Sequence, residues 1–130
     1  LFGLQAVNLN NYHGSKNKLN QIDRICKNLK FDSSHVEALI ISHNALKSNL
    51  MDKIEKNSHH FNTLLIADEV HNLGSIGFIE NPPDFFDFKI GLSATPVRQY
   101  DEEGSEFLLQ YFGDVVYDFP LEKAIGKCLV

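Results

Sequence analysis

Three short apolar runs, each ending in polar residues, constrain the fold of this chain more than any other feature. The runs at residues 38–41, 63–67 and 89–92 are largely apolar on both alternating positions. This pattern is typical of strands in a parallel sheet that is covered on both faces. Amphipathic stretches separate the runs, such as residues 15–29, for which Ser15 is the predicted N-cap. The alternation predicts an α/β fold with a mostly parallel sheet and helices on both faces.

The same patterns predict the remaining elements. Residues 4–9 and 115–117 have the composition of strands, and apolar residues recur at helical spacing in residues 46–56. Residues 107–112 carry a further apolar helical face, which Gly113 can end in a left-handed conformation.

Composition narrows the class of protein. The chain has 130 residues, of which 43% are hydrophobic and 22% charged, as expected for one globular domain. No apolar run is long enough to cross a membrane, and Cys26 and Cys128 are too few for a disulfide framework. We therefore expect a cytoplasmic protein with no membrane partner.

The charge is unevenly distributed along the chain. Residues 66–130 carry 4 Lys or Arg against 12 Asp or Glu, and the whole chain has a net charge of −5. The total argues against a dominant basic face, although local phosphate contacts remain open. The acidic half suits a site for a divalent cation, and a solvated surface explains it equally simply.

Polar side chains that follow the three apolar runs form the candidate site. Ligands of parallel sheets gather at the carboxyl ends of the strands, so we expect these side chains to lie along one edge. They are Ser42, His43 and Asn44, then Asp68, Glu69 and His71, and then Ser93 and Thr95.

Asp68 and Glu69 are the most informative of these residues. One carboxylate at a strand end can hold a hydrated Mg²⁺ ion, while the next orients and deprotonates a water molecule for attack on a phosphoryl group. Two acids after a strand can equally be a capping pair before a turn, and the pair alone does not separate the two interpretations.

The longer motifs resemble a known family. Asp-Glu-Val-His at 68–71 resembles the second motif, or Walker B element, of superfamily-2 helicases of the DEAD/DEAH-box type. Ser-Ala-Thr-Pro at 93–96 resembles their third motif. The residues around both motifs are similar to those of the branch that holds type III restriction-enzyme motor subunits and DNA repair helicases of the XPB type. The resemblance implies a RecA-like lobe of an ATP-dependent helicase or translocase.

The resemblance also implies a role for each matching residue. Asp68 would coordinate, through water, the Mg²⁺ of bound Mg-ATP, and Glu69 would activate the hydrolytic water. His71 would hydrogen-bond to the third motif and relay the nucleotide state to the second RecA-like lobe, which is the partner domain. Ser93 and Thr95 would couple hydrolysis to movement on nucleic acid.

The resemblance places Ser42, His43 and Asn44 in a strand-end loop near the nucleic-acid backbone. Their hydroxyl and amide groups are suited to phosphate contacts. Helix capping by Ser42 or Asn44 explains these residues equally well. Within this branch the expected nucleic acid is double-stranded DNA.

One motif of the family is missing. The sequence contains no Gly-x-x-x-x-Gly-Lys-Ser/Thr, the loop that cradles the phosphates of a bound nucleotide. Residues 1–130 are therefore expected to be the later part of the N-terminal RecA-like lobe, without its phosphate loop, and to be inactive in isolation. An incomplete sheet would also expose an edge or an apolar face, which predicts self-association.

Two alternative functions, a metal-dependent hydrolase and a flavodoxin-like binding module, fit the sequence less well than a helicase lobe. A metal-dependent hydrolase would use His59 and His60 with Asp68, Glu69 and His71, but the intervening strand separates the two groups by about 20 Å. A flavodoxin-like binding module would need an acid cluster near its first strand, and it would leave the Ser-Ala-Thr-Pro motif unexplained.

Overall fold

The computed structural model describes residues 4–95, 101–125 and 127 of the chain. Strands and helices alternate through these residues, and 3₁₀ turns at Leu9–Asn11, Ser58–His60 and Val70–Leu73 connect some of them. The elements are β1 (Gln5–Asn8), α1 (Ser15–Phe31), β2 (Glu37–Ile40), α2 (His43–Leu46), α3 (Leu50–Glu55), β3 (Leu64–Ala67), α4 (Ile76–Ile79), β4 (Phe88–Gly91), α5 (Glu102–Phe112) and α6 (Leu121–Ala124).

The described strands form two parallel pairs. β1 pairs with β2, and Gln5 lies opposite Glu37. β3 pairs with β4, and the register runs from Leu64 opposite Phe88 to Ala67 opposite Gly91. Every pairing is parallel and each pair is connected through helices, so the predicted α/β class, that of a partial RecA-like lobe, is confirmed.

One hydrophobic core joins the two strand pairs to the helices. α1 buries its apolar stripe against α3, while α5 packs beside β4 and the 3₁₀ turn Val70–Leu73. The most deeply buried large side chains are Phe78, Leu9, Ile22 and Leu73.

Thr63 and Asp87 join the amino ends of β3 and β4. A carboxylate oxygen of Asp87 accepts hydrogen bonds from the Thr63 amide at 2.7 Å and from the Thr63 hydroxyl at 2.9 Å. The Asp87 amide in turn donates to the Thr63 hydroxyl at 3.1 Å. These hydrogen bonds from the Thr63 backbone and side chain lower the pKa of the Asp87 carboxyl below its usual value.

Two helix boundaries differ from the sequence prediction. The N-cap of α1 is Gly14, with φ 79°, and Ser15 is the first helical residue instead of the cap. The helix predicted over residues 46–56 is divided into α2 and α3. The Ser48 hydroxyl donates to the Ala45 carbonyl and accepts from the Leu50 amide, so it replaces helical backbone bonds at the break. Gly113 ends α5 with φ 92°, and its amide donates to the Leu109 carbonyl.

The strand predicted at residues 115–117 is wrong. Val116 is 98% exposed and Tyr117 is 77% exposed, and no strand pairs with this segment within the described residues. An extended segment without a partner strand leaves its backbone groups to the solvent.

The expectation that the apolar strands are covered on both sides is also wrong for β3 and β4. Leu65 and Ala67 are buried, but Leu64 and Ile66 are 52% and 60% exposed. Phe88 and Ile90 of β4 are similarly exposed. One face of the pair therefore packs on the core, and no described element covers the other.

Candidate functional site

The carboxyl ends of β3 and β4 place two of the predicted motifs side by side. The two strands are parallel and in register, so the residues that follow Ala67 and Gly91 emerge at the same end of the pair. Beyond the strands, the Leu92 amide donates to the Ala67 carbonyl at 2.8 Å, and the Val70 amide donates to the Leu92 carbonyl at 2.9 Å. The structure thus brings the Asp-Glu-Val-His segment against the Ser-Ala-Thr turn.

The backbone turns sharply at Glu69. Its φ of 48° and ψ of 49° lie in the left-handed region, and among the described residues it is the one non-glycine residue with positive φ. The Asp68 carboxylate accepts a hydrogen bond from the Glu69 amide at 3.0 Å, and the Glu69 carbonyl accepts one from the Asn72 amide at 2.9 Å. A non-glycine residue in this conformation costs about 1 kcal/mol or more and persists where its surroundings enforce it. The sequence gives no signal for this strain.

The two carboxylates face solvent. Asp68 is exposed, and the Glu69 side chain is 58% exposed. No group of three or more His, Cys, Asp or Glu side chains within the described part of the chain is arranged to hold a metal ion. The two exposed carboxylates offer oxygen ligands of the kind that Mg²⁺ accepts when water and a bound phosphate complete its coordination.

His71 connects the two motifs. Its Nδ1 lies 3.0 Å from the Ser93 hydroxyl oxygen and 3.4 Å from a carboxylate oxygen of Glu69. The Ser93 hydroxyl also accepts a hydrogen bond from the Thr95 amide at 3.1 Å. A continuous polar chain thus runs from Glu69 through His71 and Ser93 to the Thr95 backbone. Pro96, the last residue of the third motif, lies outside the described residues.

The strand-end loop after β2 approaches the same site through one side chain. Nε2 of His43 lies 2.9 Å from the backbone carbonyl oxygen of Asp68. The Ser42 hydroxyl accepts a hydrogen bond from the Ala45 amide at 3.3 Å, which is the capping arrangement, and Asn44 is exposed. The sequence predicted that His43 and Asp68 lie along the same edge of the sheet, but it did not predict their hydrogen bond. Residues 25 positions apart in the chain share no local sequence pattern.

Gly104 seats α5 against the loop that follows His71. A Cβ atom at this position would lie 2.7 Å from the carbonyl oxygen of Gly74, too close for any real contact. The Asp101 carboxylate caps the helix by accepting a hydrogen bond from the Gly104 amide at 2.8 Å. Only glycine allows the first turn of α5 to approach this loop so closely. Gly104 was not among the residues predicted from the sequence, although a glycine inside a helical pattern is a usable signal of close packing.

The structure does not bring the histidines of the alternative metal site to the acids. His59 and His60 lie in the 3₁₀ turn Ser58–His60, which precedes β3, whereas Asp68 follows the other end of that strand. Their rings contact each other, with centroids 3.8 Å apart. The geometry therefore gives no support to a hydrolase that combines these residues.

Among the residues that the structure describes, no helix combines the length and the apolar character needed to span a membrane.

Comparison with known proteins identifies the family. No curated protein and no solved structure gives a significant match to the chain. The family model described as "Type III restriction enzyme, res subunit" matches residues 5–98, which include the four strands of the described residues and both site motifs, at 68–71 and 93–96. This family consists of ATP-dependent helicase-type domains. Because the matched region covers well over half of the chain, the chain belongs to the family of type III restriction enzyme res subunits.

Proposed function

We propose that this chain is the later part of the N-terminal RecA-like lobe of an ATP-dependent translocase or helicase that acts on double-stranded DNA. The observation that carries the proposal is the polar chain from Glu69 through His71 to Ser93 across two paired strand ends. An adjacent, exposed Asp68 supplies a second carboxylate. A flavodoxin-like binding module gives no reason for this link between two strand-end motifs.

Each residue of the site has a chemical task in this proposal. A bound Mg²⁺ would supply positive charge that offsets the charge of the nucleotide phosphates. Asp68 would hold the hydrated ion through water, and its carboxylate is exposed enough to do so. Glu69 would orient the attacking water and accept its proton, because its side chain projects into solvent from a constrained backbone.

His71, Ser93 and Thr95 would report the state of the nucleotide. The imidazole of His71 contacts both the Glu69 carboxylate and the Ser93 hydroxyl. A movement of Glu69 would therefore displace His71 and, through Ser93, the Ser-Ala-Thr turn. The Thr95 amide is tied to the same hydroxyl. We propose that this turn passes the change to the second RecA-like lobe and to the bound DNA.

The loop after β2 is the proposed DNA contact within this lobe. Ser42 and Asn44 are exposed beside the carboxyl ends of the strands, and their hydroxyl and amide groups are suited to phosphate oxygens. Such contacts position the DNA backbone without reading its sequence. The chain carries a net negative charge, so the second lobe must supply much of the attraction to DNA.

The isolated chain is proposed to be inactive. It carries the two carboxylates, but it has no phosphate loop to hold the nucleotide against them. The exposed apolar face of β3 and β4 would also make the isolated chain prone to self-association, because an apolar patch of this kind is poorly tolerated in water.

A comparison of two polypeptides tests the proposal. The 130-residue chain and the full-length polypeptide that contains it are assayed for ATP binding by calorimetry and for phosphate release with and without double-stranded DNA. We expect DNA-stimulated hydrolysis by the full-length polypeptide only. A full-length polypeptide that binds no nucleotide would refute the proposal, and micromolar ATP affinity with steady turnover by the 130-residue chain would contradict its predicted inactivity.

A further inference from the structure

A single peptide plane, between Asp68 and Glu69, is held at both of its polar atoms. The carbonyl oxygen lies 2.9 Å from Nε2 of His43, and the amide donates to the Asp68 carboxylate at 3.0 Å. The orientation of this plane sets the φ angle of Glu69, which is the strained left-handed angle of the site. His43 therefore contacts the backbone at the place where the conformation of Glu69 is decided.

The chemistry of the contact fixes the role of the imidazole. A carbonyl oxygen only accepts hydrogen bonds, so Nε2 of His43 must carry the hydrogen. His43 is half-buried at the start of α2, directly after the Ser42 cap, and this start is anchored by the bond between the Ser42 hydroxyl and the Ala45 amide. The ring is thus presented to Asp68 by a capped helix start.

We propose that His43 is a positioning residue for the catalytic carboxylate: its Nε2–H group holds the Asp68–Glu69 peptide plane and thereby keeps Glu69 in the strained conformation that aims its side chain. The inference rests on the proposed function for the role of Glu69, and it adds a residue outside the Asp-Glu-x-His and Ser-Ala-Thr motifs. Within the loop after β2, it assigns His43 to the carboxylate pair and leaves the exposed Ser42 and Asn44 to nucleic acid.

The neighbouring contact from Lys47 provides a matched control. Lys47 lies one helical turn after His43, and its ammonium group donates to the Ser75 hydroxyl at 2.8 Å. This bond also joins the loop after β2 to the segment that carries the site, and like the His43 bond it is exposed, but it involves no atom of the strained peptide. Because Lys47 does not touch the Asp68–Glu69 peptide, Lys47→Met is expected to leave the conformation of Glu69 unchanged.

The first test measures the site without nucleotide, on the 130-residue chain. Nitrogen-15 spectra of the His43 ring are expected to show the Nε2–H tautomer at pH 8. Hydrogen exchange of the Val70 and Asn72 amides, which bond to the carbonyls of Leu92 and Glu69, reports the rigidity of the segment. We expect His43→Ala to speed this exchange about five- to tenfold, as loss of one hydrogen bond allows, while amides of α1 stay unchanged. His43→Gln, which keeps an N–H donor, is expected to restore slow exchange, and an Nδ1–H tautomer or equal exchange in all variants would overturn the proposal.

The second test uses ATP turnover by the full-length polypeptide. We expect His43→Ala to lower kcat about tenfold with KM for ATP within about twofold, His43→Gln to recover most of kcat, and Lys47→Met to have no effect. Glu69→Gln is measured alongside to separate two kinds of failure. If Glu69→Gln abolishes turnover and His43→Ala does not change it, the role of His43 is wrong. If neither substitution affects turnover, the proposed function itself fails.

Discussion

The two ends of the β3–β4 pair use their acidic residues in opposite ways. At the amino ends, one carboxylate oxygen of Asp87 receives hydrogen bonds from both the amide and the hydroxyl of the nearly buried Thr63. At the carboxyl ends, Asp68 and Glu69 leave carboxylate oxygens in solvent, and the backbone that carries them is strained. The first arrangement holds two strands together, and the second is the site that we propose for nucleotide chemistry.

Under the proposed function, this difference distinguishes a structural acid from a catalytic one on the same pair of strands. Asp87, the structural acid, accepts hydrogen bonds from the amide and the hydroxyl of Thr63 at the neighbouring strand end, and these bonds lower the pKa of its carboxyl. Glu69, the proposed catalytic acid, is carried instead on a strained left-handed backbone. Substitutions of Thr63 or Asp87 at the amino ends should therefore change the stability of the fold, and loss of the Glu69 carboxylate at the carboxyl ends should change the activity.

The largest expected change in stability comes from Gly104→Ala, which disturbs the loop at the carboxyl end. The added Cβ would meet the Gly74 carbonyl oxygen at 2.7 Å, so α5 must move away from the loop. We expect a loss of about 2 kcal/mol in the free energy of unfolding, even though alanine favours a helix. Chemical denaturation measures the loss.

Gly77→Ala in α4 is the matched control for this substitution, because a Cβ there meets nothing within 4 Å. We expect Gly77→Ala to be neutral or to stabilise the chain by up to about 1 kcal/mol. If both alanine variants were equally stable, the close seating of α5 would be incorrect.

Thr63→Val tests the amino end. The hydroxyl of Thr63 takes part in hydrogen bonds with the Phe85 carbonyl and with the carboxylate and amide of Asp87, and valine keeps its shape but removes all of them. We expect a loss of about 1 to 2 kcal/mol in the free energy of unfolding. The same substitution at the exposed Thr95 should change stability by less than about 0.5 kcal/mol. A larger loss at Thr95 than at Thr63 would reverse the comparison.

Glu69→Gly tests the strain at the carboxyl end. Glycine adopts φ 48° without a steric penalty, so the variant should be more stable than the parent chain by about 0.5 kcal/mol, despite the greater flexibility of unfolded glycine. Glu69→Gln keeps the strain and should unfold at the same denaturant concentration as the parent. A destabilised Glu69→Gly variant would mean that the left-handed turn stores no strain.

Asp87→Asn should change the pH dependence of stability at the amino end. Because hydrogen bonds from Thr63 lower the pKa of Asp87 below its usual 3.8, the ionised carboxylate stabilises the fold above that pH. This contribution is lost as the pH falls through the lower folded-state pKa. Thermal unfolding between about pH 2 and 7 should therefore show a shallower acid decline in Asp87→Asn than in the parent, and parallel curves would contradict the assignment.

The sequence was sufficient to predict the parts of the fold that depend on periodicity. The apolar runs located β2, β3 and β4 to within a residue or two, and their polar ends located the candidate site. It could not predict the exposed face at Leu64 and Ile66, because an apolar run does not say what packs on each side of it. The break at Ser48 depends on side-chain hydrogen bonds that compete with the helical pattern, whereas the N-cap of α1 is Gly14, with a positive φ of 79° and no side-chain cap bond.

The site was predictable in its residues but not in its geometry. Motif spacing indicated Asp68, Glu69, His71, Ser93 and Thr95, while their chemical roles stay predictions. Tertiary packing determines the hydrogen bond between His43 and Asp68 and the strained φ of Glu69, so no local sequence pattern predicts either of them. The close packing at Gly104 likewise involves Gly74, which lies 30 positions away in the chain.

The most direct measurement is ATP turnover by the full-length polypeptide that carries Glu69→Gln, beside the same polypeptide with Thr63→Val. A general base of this kind contributes about a hundredfold or more to the rate, so Glu69→Gln should lose at least that factor with an unchanged melting temperature. Thr63→Val should melt at a lower temperature and keep normal turnover below it. If Glu69→Gln instead hydrolysed ATP at the parent rate, the assignment of the exposed acids to nucleotide chemistry would be wrong.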